Sequence, residues 1–291
     1  MNDGVTVIIP TLGTRPQELE RAIDSVTSQL GVKAIPLVIV NGCRYEADLV
    51  TRLERTPGLC CHRIERAGVS NARLEGRRLV ETSHFAFLDD DDELLADALR
   101  LRLDTLQRTN ADVVVTNGYR EENGERRLIF SKFDRHPDDP ARALLEENWL
   151  ASAGGLFRTD IVGEQILDGL PDFLEMTFIA FLLTQRHVVF RLNRPTFIIH
   201  AGAAEQASES WAYLKEMPMV LQRMQSQTTR KDLQSRLKQR RAAALHQAST
   251  KALGHRNMLA AWKYHLHSLA VGDGLRYLPY TRHIVLGRHP P

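Results

Sequence analysis

Over the first two hundred residues the chain alternates between two hydrophobic textures. Short β-branched or aromatic runs at 5–9, 35–40, 59–64, 85–88 and 112–116 read as buried strands. Between them, apolar residues recur at helical spacing. Leu19, Ile23, Val26 and Leu30 follow a Thr14-Arg15-Pro16-Gln17 segment shaped like a capping box. A helix over 47–53, another entered through the Gly68-Val69-Ser70 turn, and a face of Leu95, Leu99, Leu103 and Leu106 continue the series. Strands separated by helices imply right-handed crossovers, and so an α/β fold with a doubly wound, mixed but mostly parallel sheet. In such sheets ligands bind in the crevice outside the carboxyl ends of the strands.

After residue 118 the pattern loosens. Asn123-Gly124 between two polar and aliphatic arms predicts an exposed hairpin over 119–133. Residues 151–158 carry a Gly154-Gly155 pair, and 174–183 reads as an apolar helix with one acid, Glu175, near its start. Strands are predicted at 188–192 and 196–199, the second ending at His200 and followed by Ala201-Gly202. From Glu205 onward the chain reads as helical and basic, with apolar spacing at Leu214, Met217 and Leu221, a break at Gly272 and Gly274, and a Pro-ended tail. The expected organisation is thus an α/β domain over 1–204 and a C-terminal helical region over 205–291.

Composition narrows the class. Hydrophobic residues make up 43% of the chain, as suits a globular protein with a sizeable core. No apolar run is long enough to cross a bilayer, and the N-terminus enters its first strand without a basic region or cleavage site, so a cytoplasmic location is expected. The three cysteines give neither a metal-ligand spacing nor a disulfide framework. The net charge of +2 is unevenly placed: acids concentrate before residue 180, and Arg230, Lys231, Arg236, Lys238, Arg240 and Arg241 form a basic run. That run reads as a solvated helical face or as attraction to an anionic membrane surface, with no aromatic interleaving to favour nucleic acid.

The stretch that carries chemistry is Phe85-Ala86-Phe87-Leu88 followed by Asp89, Asp90, Asp91 and Asp92. A buried strand delivers four mutually repelling carboxylates to its own end. They read either as ligands of a divalent cation or as the acidic first turn of the next helix. Thr11 after the first strand, Asn41 after the second, the Gly68 turn, Glu175 and His200 complete the strand-end inventory. Together they fit transfer from a nucleotide-activated donor, with a metal neutralising the diphosphate and a carboxylate taking a proton from the attacking hydroxyl. No Gly-rich phosphate loop of the Walker or dinucleotide type is present, which argues against kinases, GTPases and NAD enzymes. A sugar nucleotidyltransferase would need a Gly-rich basic loop after the first strand, and none follows Ile9. A non-catalytic nucleotide-sugar or carbohydrate-binding module is the alternative from another class.

Taken in order, Val5-Thr-Val-Ile-Ile-Pro-Thr11, Asp24-Ser-Val-Thr-Ser-Gln29, Gly68-Val-Ser-Asn-Ala-Arg73 with Gly76, and Phe85-Ala-Phe-Leu-Asp-Asp-Asp-Asp92 resemble glycosyltransferase family 2 over about the first 200 residues. The resemblance implies the A-type glycosyltransferase fold, similar to nucleotide-diphospho-sugar transferases. Residues 1–117 would be the nucleotide-sugar-binding half and 118–204 the acceptor half. It implies an inverting, Mn²⁺- or Mg²⁺-dependent transfer from a nucleotide-sugar donor, UDP-linked, to a hydroxyl of a glycan, glycolipid or other acceptor in polysaccharide or glycoconjugate assembly. The work would be done in the cytoplasm, with the basic C-terminal helices as a contact to the inner face of the membrane. Asp89, Asp90 and Asp91 would hold the Asp-x-Asp element, with Asp91 as the direct metal ligand, Asp89 facing ribose or metal, and Asp92 starting the next helix. Pro10 and Thr11 would line the base pocket, with Asn41 standing where the family usually has acids that read uracil. Arg73 would lie near the base or diphosphate, Gly154-Gly155-Leu-Phe-Arg158 beneath the acceptor sugar, and His200 at the metal. Glu175 would take the place of the catalytic base, usually the Asp of a Glu-Asp pair.

Overall fold

Nine strands, β1 (Asn2–Thr11), β2 (Ala34–Asn41), β3 (Cys60–Ile64), β4 (Thr82–Phe87), β5 (Glu93–Leu94), β6 (Val113–Glu122), β7 (Glu125–Leu128), β8 (Gly155–Arg158) and β9 (Val189–His200), form one mixed sheet in the computed structural model, which describes residues 2–200 and 210–287. Their order is β3-β2-β1-β4-β8-β6-β9-β5, with β7 attached to β6. Strands β1, β2, β3, β4, β6 and β9 run one way, and β5, β7 and β8 the other. Helices α1 (Pro16–Thr27), α2 (Ala47–Arg55), α3 (Val69–Arg78), α4 (Ala98–Thr109) and α5 (Pro140–Leu144) accompany them, and α6 (Glu175–Arg186) precedes β9. The chain runs outward from β1 through β2 to β3, then returns to lay β4 against the other side of β1. The order reverses there, so a crevice opens between the carboxyl ends of β1 and β4.

Two apolar faces fix that arrangement. Val5, Val7 and Ile9 of β1 and Ala86 and Leu88 at β4 pack with Leu19 and Val26 of α1, Leu53 of α2 and Leu99 and Leu106 of α4. Period-two alternation sends Phe85 and Phe87 to the opposite face, where Phe85 stacks on Phe157 at 4.9 Å and Arg77 of α3 lies over Phe85 at 4.8 Å. Helix α3 sits close because Gly76 faces the sheet: a Cβ there would come within 2.4 Å of Ile8 Cγ2.

Several local expectations are corrected. The capping box does not form; Arg15 is the N-cap of α1, and its guanidinium, which has no acceptor for a helix N–H, turns instead to the acids after β4. Leu30 lies past the end of α1 and is exposed, since the chain turns at Gln29, whose amide donates to the Ser25 and Leu95 carbonyls. Leu95 does not join a helical face: β5 intervenes, and α4 begins only at Ala98. Asp92 therefore starts no helix, and the acidic-first-turn reading of the four carboxylates falls. The two strands predicted over 188–199 are one, β9, whose register against β6 shifts where Leu192 gives way to Pro195. Pro cannot donate to the ladder and is accommodated at that irregularity. The hairpin does form, with Asn123 and Gly124 at φ 53° and 79°, as a tight turn between twisted strands requires. Strand β6 runs through residues 117 and 118, so the expected halves share a strand.

The chain divides into two compact units, one of residues 2–170 and 179–200, the other of 171–178 and 210–287. The second thus takes in a short segment from within the expected α/β domain. It contains α7 (Trp211–Ser226), α8 (Lys231–Gly254), α9 (Met258–Leu269), a 3-10 segment (Gly274–Tyr280) and α10 (Thr281–Val285). Leu221 is buried on α7, and Leu233, Leu237, Ala244 and Ala248 line the inner side of α8. The basic run is not one solvated face: Arg240 is drawn inward, where burial lowers its pKa, and Arg230 pairs with Asp232 at 2.7 Å. The Ala201-Gly202 pair, Glu205 and the Pro-ended tail lie outside the described residues. Among the described residues no helix is long and apolar enough to cross a membrane.

Candidate active site

The crevice at the β1–β4 switch is built from the ends of those two strands. Thr11, the last residue of β1, is buried and donates its hydroxyl to Asp90 Oδ2 at 2.5 Å. Its Oγ1 accepts the Gly13 N–H at 2.9 Å, which turns the chain away from the sheet. Arg15 then reaches back to bridge Asp90 and Asp91 with its two terminal nitrogens. Asp89 stands between Arg73 of α3, 2.8 Å away, and the Ser152 hydroxyl, which donates to Oδ2 at 2.7 Å. Arg73 is itself buried over Phe87 at 5.9 Å, so its guanidinium is held by packing before it meets Asp89. Three of the four acids, Asp89, Asp90 and Asp91, are therefore compensated by two arginines and two hydroxyls.

Compensation is least complete at Asp92, which is buried. Desolvation, with Asp89 and Asp91 close by, raises its carboxyl to about 8 against a hydrogen bond from the His200 main chain. Asp92 thus keeps a proton at neutral pH. Burial also raises Asp90, opposed by the bonds from Thr11 and Arg15. For Asp92 the folded chain holds a proton that the unfolded chain has lost above its ordinary value near 3.8. Its contribution to stability is fully present below about pH 4 and is lost as pH rises toward 8. The expected result is that stability in urea falls by about 2 kcal/mol between pH 6 and 8 in the unliganded protein, and that Asp92→Asn removes most of this slope.

Asn41 serves as a brace. Its Nδ2 donates to the Thr11 carbonyl at 2.8 Å and its Oδ1 accepts the Gly68 N–H at 2.9 Å, so the amide ties β1 to the turn that opens α3. Reading a base through Oδ1 would have to share that bond. Pro10 lies within β1, paired in register with Ile39 of β2. Beside Asn41, at the carboxyl ends of β2 and β3, opens a cavity of about 840 Å³ lined by Gly42, Tyr45, Cys61, Arg63 and Glu65 among others. His200, expected at a metal, has its imidazole Nε2 2.7 Å from Glu93 Oε1 and Nδ1 3.6 Å from Glu121. Arg21 joins the same Glu93 at 2.7 Å and donates to the Asp91 carbonyl at 3.1 Å. In this arrangement the imidazole fastens the end of β9 to β5, and its ring nitrogens face Glu93 and Glu121 rather than the four Asp. Glu175 belongs to the second unit, where it opens α6 directly after Leu174, a non-glycine residue at φ 63°.

Among the described residues no three His, Cys, Asp or Glu side chains form a set that could hold an ion by themselves. Asp89 and Asp91 nonetheless suit Mg²⁺ or Mn²⁺. Their side chains are 36% and 34% exposed, and these hard cations take one or two carboxylates and complete their shell with water and ligand phosphates.

Arg15, Arg21, Glu93 and Ser152 were not singled out by the sequence. The available signal was position: Arg15 lies on the loop leaving the strand end at Thr11, and Glu93 directly follows the acids.

Comparison with known proteins decides the family. The model described as "Glycosyl transferase family 2" matches residues 6–157, more than half of the chain. The chain belongs to glycosyl transferase family 2. As a member it is a glycosyltransferase, and its sheet has the fold of known A-type enzymes. The S. aureus TarS 1–349 structure in complex with UDP-GlcNAc superposes with a TM-score of 0.61 at 13% identity, covering 91% of this chain and 89% of that one. The TarS 1–349 complex with UDP gives 0.59 at 15% identity, covering 84% and 71%. No curated protein matches the glycosyltransferase's sequence.

Proposed function

We propose that this glycosyltransferase moves a sugar from a UDP-linked donor to a hydroxyl of a glycan or glycolipid acceptor, by a single displacement that inverts the anomeric centre. The observation that carries the reading is the gathering of Thr11, Arg15, Arg73 and the four Asp at the β1–β4 switch point. The TarS complexes, one with UDP and one with UDP-GlcNAc, support the donor class. The cavity beside Asn41 has the size of a nucleoside-binding cleft and lies at the carboxyl ends of β2 and β3, on the β2 side of β1 in the sheet. Asp91, with Asp89, would hold Mn²⁺ or Mg²⁺, which when bound supplies positive charge to the departing diphosphate.

The chain's own residues do the remaining work. Arg73 and Ser152 fix the Asp89 carboxylate, and Thr11 fixes Asp90, so the acids are oriented before a donor arrives. Arg15, 47% exposed, is placed to exchange its carboxylate partners for diphosphate oxygens. Glu175, by its family position, takes the proton from the acceptor hydroxyl. Calorimetry with UDP and Mn²⁺, followed by transfer assays with a panel of UDP-sugars, tests the reading. Binding of UDP that is strengthened by Mn²⁺ is expected, and Glu175→Gln should lower the transfer rate about a hundredfold with UDP binding retained. Transfer that proceeds equally well in Glu175→Gln would remove that residue from the mechanism, and absence of UDP binding would remove the donor assignment.

A further inference from the structure

Glu175, the base of the proposed reaction, belongs to the helical unit, and contacts within that unit fix the backbone on either side of it. Tyr213, Glu216 and Arg223 of α7 follow one another at i, i+3 and i+10, a spacing that puts them on one side of the helix. Each meets the segment from Asp172 to Phe178 in turn. The Tyr213 ring packs edge-on against Phe173, with centroids 6.0 Å apart. The Glu216 carboxylate accepts the main-chain N–H of Asp172 at 2.9 Å through Oε1 and that of Phe173 at 3.1 Å through Oε2. Arg223 lies over the Phe178 ring at 4.5 Å. The segment is thus fastened at both ends, and Glu175 stands between the fastenings.

Between them the backbone takes a turn that leucine does not adopt by preference. Leu174 sits at φ 63°, in the left-handed region, where a Cβ is crowded. Its carbonyl accepts the Phe178 N–H at 2.8 Å, so this one residue sets the direction in which α6 leaves the loop. Such a conformation persists only where its surroundings hold it. The two consecutive N–H groups just before Leu174 are where that hold is made, because a carboxylate offers two acceptor oxygens and one side chain ties both donors. Asp172 is exposed and Phe173 half-buried, so these bonds add little to global stability, and their effect is on where the loop stands.

We propose that Glu216 is a positioning residue for sugar transfer: it fixes the entry to α6 and thereby the backbone of Glu175. The inference rests on the reading of Glu175 as the base. A general base works only within hydrogen-bond reach of the proton it takes, and a displacement of about 1 Å is enough to slow a reaction by an order of magnitude or more. The residues assigned to the donor all belong to the first unit, so donor affinity and proton transfer should separate.

The test measures kcat, donor KM and UDP binding for Glu216→Ala, Glu216→Gln and Glu175→Gln, and for each Glu216 variant combined with Glu175→Gln. Glu216→Ala should lower kcat about tenfold, with UDP affinity and donor KM within about twofold of wild type. Glu216→Gln, which keeps one of the two acceptor oxygens, should lower it only about threefold. Added to Glu175→Gln, neither should slow transfer further, since no base is left to position. A general loosening of the fold would lower both backgrounds by the same factor, and that result would overturn the inference. Amide exchange over residues 171–175 reads the tie without turnover: it should quicken about tenfold in Glu216→Ala, with the core of α8 unchanged. Wild-type kcat in Glu216→Ala, or unchanged exchange in both Glu216 variants, would also overturn the inference while Glu175 stands as the base. Wild-type transfer by Glu175→Gln would remove base and positioning residue together. Should the alanine variant melt early, Glu216→Gln in the two backgrounds decides the matter.

Discussion

Asp91→Asn is expected to lower the rate of sugar transfer about a thousandfold while shifting the melting temperature by no more than about 2 °C. The asymmetry follows from where the carboxylate stands. Its side chain is a third exposed, and its side-chain partner is Arg15, itself 47% exposed. Ion pairs so open to water contribute little to stability. An amide of the same shape keeps the local packing but loses the charge that would face a cation and a leaving diphosphate. Asp90→Asn should behave in the opposite sense, because Asp90 is buried and accepts the Thr11 hydroxyl that shapes the end of β1. Its loss should show first in melting temperature. Initial rates with the preferred UDP-sugar, paired with calorimetry of UDP binding, separate the two. If Asp91→Asn transfers sugar at the wild-type rate, the crevice is not where the diphosphate departs.

The strands that build this crevice were legible because each is a short run of β-branched or aromatic residues bounded by turn formers, and burial of both sheet faces leaves such runs little freedom. The position of the acids was legible for the same reason: Leu88 ends the apolar run, so the next side chain must lie at the strand's end. What the residues could not show is how the charges are compensated. Arg15 sits inside a local pattern that mimics a helix cap, and only the return of β4 beside β1 brings Asp90 and Asp91 within its reach. His200 and Glu93 are 107 residues apart and meet because β9 pairs with β5, a strand of two residues with no periodicity to read. Asn41 was legible as a turn residue at a strand end, but its role as a brace depends on the Gly68 N–H, which arrives from another crossover. The resemblance to family 2 supplied what local pattern lacked, since it ties distant motifs to one site.

Arg102→Met should destabilise the fold by about 3–5 kcal/mol, with lost activity following from lost structure. Arg102, on α4, is completely buried and among the described residues pairs with no carboxylate. Its guanidinium donates to Thr116 Oγ1 of β6 at 3.2 Å, to Thr196 Oγ1 of β9 at 2.5 Å, and to the carbonyls of Ala153 and Gly155 at 2.7 and 3.4 Å. Burial pushes its pKa down to about 9, so it remains a cation at neutral pH, stabilised by dipoles from three segments of chain. Methionine fills much of the volume but leaves those acceptors without a donor in a dry interior. Lysine keeps the charge yet cannot donate in the same fork, so Arg102→Lys should recover no more than about half of the loss. The sign of the pH effect separates this residue from Asp92: with its folded pKa near 9, Arg102 carries the same proton in folded and unfolded chains below that value. Its contribution should therefore be flat between pH 6 and 8. Urea midpoints measured across that range give the test, and a deficit in Arg102→Met below about 1 kcal/mol would mean the two carbonyls find water instead. Because Ala153 lies within the Ser152–Gly154 turn that carries Ser152 to Asp89, and Gly155 directly follows it, the same loss should loosen the acidic site before the sheet itself unfolds.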